Sequence, residues 1–216
     1  MQSILRIVPL CLSVLACAHA AAPLFSDPFG KTLADGWKWV RENPDAWRLA
    51  DGALEIRIEP GNMWGDSNNA RNILVRELPD ADTVAHTVSV TVSNKPTNQY
   101  EQVNLVCYYD DSNMVKIGLE LVDEKLSLVM GREEKDKTNT IALLPVTATT
   151  LQVRFVLRGD EIEGAYRENA TGAWQEAGKC ELAVDGPPKI SLQAYQGPAD
   201  AEHWAKFTDF KIEKSK

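Results

Sequence analysis

Apolar and polar residues alternate along most of this chain, and that two-residue period constrains the fold more than any other feature. Val88, Val90 and Val92 point one way, with Thr87, Ser89 and Thr91 opposite. The same pattern governs Val103, Leu105, Cys107 and Tyr109, then Val115, Ile117, Leu119 and Leu121, then Leu126, Leu128 and Met130. It returns at Leu151, Val153, Phe155 and Leu157, and again at Ile190, Leu192 and Ala194. Successive side chains of a strand project to opposite faces, so each run predicts a strand buried on one face only. Asp110-Asp111-Ser112-Asn113, Asp123-Glu124 and Arg158-Gly159-Asp160 supply the residue types that tight hairpins require. No amphipathic helical period competes. About a dozen short strands at this spacing argue for an all-β sandwich or barrel of antiparallel sheets. The Lys/Glu-rich segment 131–139 reads as a solvated loop or turn.

The first twenty residues are set apart from this pattern. Met1 to Arg6 is a short positive segment, Ile7 to Ala16 an apolar run too short to span a bilayer, and Ala18-His19-Ala20 an A-x-A cleavage site. Residues 1–20 therefore read as a signal peptide and 21–216 as one exported domain, periplasmic or extracellular. Val14-Leu15-Ala16-Cys17 offers the alternative of a lipoprotein anchored through Cys17. No later segment is long and apolar enough to be a membrane helix.

The formal charge is −8, and loss of the leader's one arginine makes it a unit more negative. With no basic stripe, nucleic acid and anionic membrane surfaces are poor partners. Cys107 and Cys180 remain after processing, and an oxidising compartment would permit a disulfide between them. Cys107 also lies on the apolar face of its strand, where it would serve as a small buried hydrophobe. Two cysteines and two histidines, His86 and His203, scattered along the mature chain make no zinc pattern.

Several segments carry a resemblance: Asp35-Gly36-Trp37-Lys38-Trp39, Trp47 through Leu54, Met63-Trp64-Gly65 with Asn68 through Leu74, Tyr108-Tyr109-Asp110-Asp111, and Val115 through Glu120. In order and spacing they resemble the concanavalin A-like β-sandwich at the C-terminus of family 43 β-xylosidases, and its free-standing bacterial relatives. The likeness spans Phe25 to Ile212. It implies a jelly roll of two curved antiparallel sheets whose concave face meets carbohydrate in many relatives. The catalytic propeller of the xylosidases has no counterpart in the residues given, so their activity does not transfer.

The residues permit four site readings. Sandwich glucanases supply their carboxylates from one strand as E-x-D-x-E, because alternate residues share a face. That string is absent, and neither a G-x-S-x-G motif nor a nucleophile–base pair replaces it, so no catalytic residue is assigned. A sugar site needs aromatic faces ringed by amides, carboxylates and Arg. Trp64, in a glycine-flanked loop, together with Asn104, Tyr108, Lys116, Glu120, Arg154, Gln193 and Tyr195 on non-core strand positions, would provide one if their strands are neighbours. Asp27 and Asp209, near the two ends, could hold a structural calcium; alternatively Asp27 makes an Asx turn before Pro28 and Asp209 marks a bulge. Asp110, Asp111 and Asn113 suit a hairpin better than a cation. These features point to a non-catalytic module for a poly- or oligosaccharide, without cofactor. The other readings are a glycan-active hydrolase or lyase with an unrecognised acid/base pair, and a structural or partner-docking domain of the envelope.

Overall fold

A computed structural model of the protein describes residues 22–80 and 84–215. The leader and the lipoprotein cysteine of the sequence reading lie outside these residues. In chain order the strands are β1 (Phe25–Asp27), β2 (Lys38–Val40), β3 (Trp47–Ala50), β4 (Ala53–Arg57) and β5 (Ile73–Glu77). Next come β6 (His86–Ser93), β7 (Gln102–Asp110), β8 (Asn113–Val122), β9 (Lys125–Glu134) and β10 (Lys137–Pro145). The last are β11 (Thr150–Arg158), β12 (Glu161–Arg167), β13 (Gln175–Glu181), β14 (Lys189–Tyr195) and β15 (Trp204–Lys214). One turn of 3-10 helix, Pro44–Ala46, precedes β3.

Two sheets result, antiparallel throughout. One is ordered β13-β12-β11-β6-β15-β4-β3, with β1 also on β15; the other is ordered β10-β9-β8-β7-β14-β5-β2. The alternating residues explain why they stack. Val88, Val90 and Val92 of β6 and Val153 and Phe155 of β11 meet Val103, Leu105, Val115, Ile117 and Met130 of the opposite sheet in one fully buried core. Burying a side chain of this size is worth about 1.5–3 kcal/mol, so the period alone is enough to drive the layers together.

The hairpins follow from their turn residues. Asp123 and Glu124 both take positive φ (47° and 63°), the handedness that matches strand twist in a two-residue turn. Lys135 and Asp136 do the same, at 52° and 61°. Of the sequence reading of 131–139 as a solvated loop or turn, only the turn at Lys135 and Asp136 is found, and the rest is strand. The segment is the end of β9, a two-residue turn and the start of β10, and its charges alternate between faces as the apolar residues do elsewhere.

At the termini, β4 pairs with the first half of β15 and β1 with the second. A register shift between Thr208 and Lys211, with Asp209 at φ 56°, separates the halves. Asp27 is buried. Its Oδ1 accepts the Phe29 N–H at 2.8 Å, the expected Asx turn, and its Oδ2 accepts Ala34 N–H and Trp37 Nε1–H, both at 2.9 Å. Asp209 is exposed and accepts hydroxyls of Thr91 and Thr208. A calcium at Asp27 and Asp209 would have to displace the three N–H donors on Asp27. Among the described residues, no cluster of three or more His, Cys, Asp or Glu side chains could hold a metal ion. The disulfide reading is corrected as well: Cys107 and Cys180 are free thiols, and burial pushes them up to about 12 and about 11.

Candidate functional site

Segment 58–72, which joins β4 to β5, lies across the outer face of the seven-stranded sheet. Met63 and Ala70 are buried there against Ile73, Val75, Val106, Tyr108, Met114 and Tyr195. Asn62 shapes the segment: its Oδ1 accepts the N–H groups of Met63 and Trp64, and its Nδ2 donates to the Trp64 carbonyl. Arg41 ties it down, donating from Nε to the Ala70 carbonyl at 2.6 Å. From β9, Glu133 accepts the Gly65 N–H at 3.1 Å.

Trp64 thereby reaches the sheet. Its ring lies over Gly131, where any Cβ would come within 2.5 Å of the indole, and Lys116 Nζ sits 4.5 Å from the ring centroid. Only a residue without a side chain at 131 allows the indole this close. Beneath it, Lys116 donates to Gln102 Oε1 at 2.6 Å and to Glu120 Oε2 at 2.9 Å, and Asn104 Nδ2 donates to the same Gln102 oxygen at 3.0 Å. The Lys116 and Glu120 side chains are only 3% and 9% exposed. A charge pair this deep is costly to desolvate; Glu120 depends on Lys116, and Lys116 on Glu120 and Gln102, to offset that cost.

A pocket of about 340 Å³ opens above this floor. Trp64, Gln102, Lys116 and Glu120 line it together with Tyr100, Leu143 and Gln196. Tyr100 is 46% exposed and Leu143 48%, so both offer apolar surface beside this polar floor. Tyr100 donates its N–H to the Leu121 carbonyl at 2.7 Å, and the next residue, Glu101, is wholly buried, accepts N–H groups of Thr97 and Asn98, and meets His203 Nδ1 at 3.0 Å. Glu120 is the one carboxylate among the residues lining this pocket, and Lys116 holds it.

The structure brings Trp64, Lys116 and Glu120 together in the pocket, as the sequence pairing suggested. Asn104, Gln193 and Tyr195 stand on the same face but lie buried, and Asn104 Oδ1, Gln193 Oε1 and the Tyr195 hydroxyl have no protein partner. Burial, followed by the charges of Glu120 and Glu133, pushes the Tyr195 phenol well above its usual range. Tyr108 lies on the far side of the Met63 segment, in a separate hollow of about 630 Å³ with Lys38 and Lys189. Its hydroxyl donates to Asp111 at 2.8 Å, and Arg41 pairs with the same carboxylate. Asp110 Oδ1 accepts Ser112 N–H, so the Asp-Asp is a structural turn. Arg154 is displaced from the group altogether: β11 belongs to the eight-stranded sheet, and Arg154 faces outward on the opposite side of the molecule.

Sequence reasoning missed Tyr100, Gln102, Glu133 and Gln196. Gln102 continues the Asn104–Tyr108 alternation by one step, and Glu133 continues Ser127–Val129–Gly131, so both were accessible from the period. Glu133 is wholly buried, and burial raises its carboxyl from an ordinary 4.5 to about 7. Tyr100 and Gln196 sit at strand ends with φ of 67° and 61°, positions that no alternation marks.

Solved structures share this fold. The GH43 protein BlXynB of Bacillus licheniformis matches with a TM-score of 0.76 at 21% identity, over 88% of this chain and 39% of its own. A xylan beta-1,4-xylosidase of Bacillus halodurans gives 0.77 at 15% identity, over 94% and 41%. A functionally unknown protein of Saccharomyces cerevisiae gives 0.66 at 14% identity over 84% of this chain, and there the match takes in 97% of the partner's length. The chain thus spans about two fifths of the length of the two bacterial proteins. A comparison with curated protein sequences returned no match. Residues 26–213 match the sequence model of the beta-xylosidase C-terminal concanavalin A-like domain, and the chain belongs to that family.

Proposed function

We propose that the protein is an exported carbohydrate-binding module without catalytic activity of its own, which takes a neutral oligosaccharide in the pocket between Trp64 and Tyr100. One observation carries this reading: an exposed tyrosine and a half-buried tryptophan flank a floor of Gln102, Lys116 and Glu120 whose polar groups are already fixed in place. Aromatic faces accept the C–H surface of a sugar, while fixed amide, ammonium and carboxylate groups select its hydroxyls without reordering on binding. Hydrolysis by the usual route needs two carboxylates facing one bond. This pocket offers one, neutralised by Lys116. The signal-like leader supports export, and membership of a family found in xylosidases supports a glycan as the ligand.

Affinity electrophoresis through gels containing xylan and a panel of other neutral polysaccharides tests the reading. The protein should be retarded by at least one, and Tyr100→Ala should weaken that binding roughly tenfold with no change in Tm, because Tyr100 is exposed. Equal mobility in every gel would refute the binding role. Release of reducing ends by the purified protein, lost in Glu120→Gln, would replace it with a hydrolytic one.

A further inference from the structure

The outer face of the eight-stranded sheet carries a second constellation, centred on Trp174. Arg154 of β11 and Arg167 of β12 place their guanidinium carbons 4.2 Å and 4.4 Å from the centroid of that one indole. Two like charges beside one ring oppose each other, and an acidic neighbour would ordinarily relieve them. Among the described residues neither arginine is in an ion pair. Arg167 donates to neutral oxygens, Gln152 Oε1 and the Gly172 carbonyl. Among the described residues Arg154 has no hydrogen-bond partner, and its Nε is buried. Burial, and then the charge of Arg167, disfavour Arg154's own charge, and the nearby Glu163 favours it less strongly. In a chain of net charge −8, two arginines on one indole with no ion pair between them and any carboxylate are out of keeping with their surroundings.

Beside the pair is a hollow of about 260 Å³. It exists because the outward residue opposite Arg154 is the small Ala165, itself paired with Glu176 on the next strand. Val156, Ala165 and Trp174 give it apolar walls, and Arg154, Glu163 and Glu176 its polar ones. Glu163 offsets the charge of Arg154 only in part, because it is shared with Arg158 at 3.1 Å and Lys179 at 3.8 Å and makes no ion pair with Arg154.

We propose that this hollow is a second binding site, specific for the carboxylate of a hexuronate residue in an acidic glycan. The Arg154 guanidinium, a planar fork that fits a carboxylate, takes the acid group, with Arg167 adding charge. The sugar ring rests against Val156, Ala165 and the indole, and Glu176 accepts a hydroxyl. The volume suits one ring rather than a chain. This site lies on the opposite side of the molecule from the neutral pocket and does not depend on it.

Calorimetric titration with trigalacturonate and with its fully methyl-esterified form, at low ionic strength, is the test. The acid should bind and the ester, alike in shape but uncharged, should bind about tenfold more weakly or worse, the loss expected when a charged hydrogen bond is removed. Arg154→Gln and Trp174→Leu should each reduce the acid's affinity to that of the ester, while Tyr100→Ala leaves it unchanged. The acid–ester comparison needs no variant, so it stands even if a substitution unfolds the protein. Absence of binding by trigalacturonate, equal affinity for acid and ester, or persistence in both variants would overturn the site. Displacement by equimolar inorganic sulfate would reduce it to a nonspecific anion contact and overturn it as a sugar site.

Discussion

The outer faces of the two sheets are written in the same two-residue period but meet different surroundings. In β7 every residue from Gln102 to Tyr109 is buried on both faces, whereas in β11 and β12 buried and half-exposed positions alternate strictly. The difference comes from segment 58–72, which covers one sheet and leaves the other open. Under that cover lie an ion pair, a protonatable carboxyl and amide oxygens without partners, all of which an apolar lining would have made unnecessary. On the open face β11 to β13 carry their charges as exposed pairs such as Arg158–Glu163, which contribute little to stability, and the deeply buried carboxylate there, Glu55 of β4, is held by both Arg48 and Lys206. Polar groups buried at a cost to the fold mark where selection has acted on something other than stability.

The comparison can be broken most sharply at its charge pairs. Lys116→Met should cost about 3–5 kcal/mol by urea denaturation, because it leaves Glu120 buried and uncompensated. Arg158→Met, on the open face, should cost about 0.5 kcal/mol or less. Similar losses at the two sites would mean that the faces do not differ. Next in size is Gly118, on the covered face of β8, where a Cβ would stand 1.9 Å from the Val103 carbonyl oxygen and 2.7 Å from Asn104 Oδ1. Backbone cannot yield as a flexible side chain does, so Gly118→Ala should lose about 3 kcal/mol.

Glu133 gives a third, smaller effect, with a definite sign. The carboxyl is raised from 4.5 in the unfolded chain to about 7 in the folded one. Below pH 4.5 it is protonated in both states and costs nothing; above pH 7 it is ionised in both, and the burial penalty is complete. Stability should therefore fall by about 2–3 kcal/mol as pH rises through this window, since the folded state holds the proton longer. Glu133→Gln should remove that component of the pH profile. An unchanged profile would mean that segment 58–72 does not seal the carboxyl from water.

Much of this architecture was legible in the alternation because a period of two is a direct consequence of strand geometry. β6, β7, β8, β9, β11 and β14 all follow runs visible in the residues. β10 was not visible: its register shifts between Thr140 and Ala142, which breaks the period in mid-strand, and most of its residues are exposed on both faces. The pocket was half legible. Lys116 and Glu120 share a face by spacing alone, but which sheet β11 joins is a matter of topology, and so Arg154 was grouped with residues on the far side of the molecule. Glu133 continues the Ser127–Val129–Gly131 face and was open to the same reading, but its Lys/Glu-rich stretch resembles solvated loop until the coverage of that face is known. Tyr100 lies outside any strand, in a turn whose next residue, Glu101, is buried against a histidine about a hundred residues away, a contact no local pattern encodes.

The claim that the covered face is the one that binds neutral glycan is tested most directly by following the tryptophan indole N–H signals in NMR spectra. A neutral oligosaccharide from whichever polysaccharide retards the protein would be titrated in. The Trp64 signal should shift in a saturable way while that of Trp174 stays in place. Movement of Trp174 with Trp64 unchanged, or no indole shift at saturating sugar, would contradict the assignment.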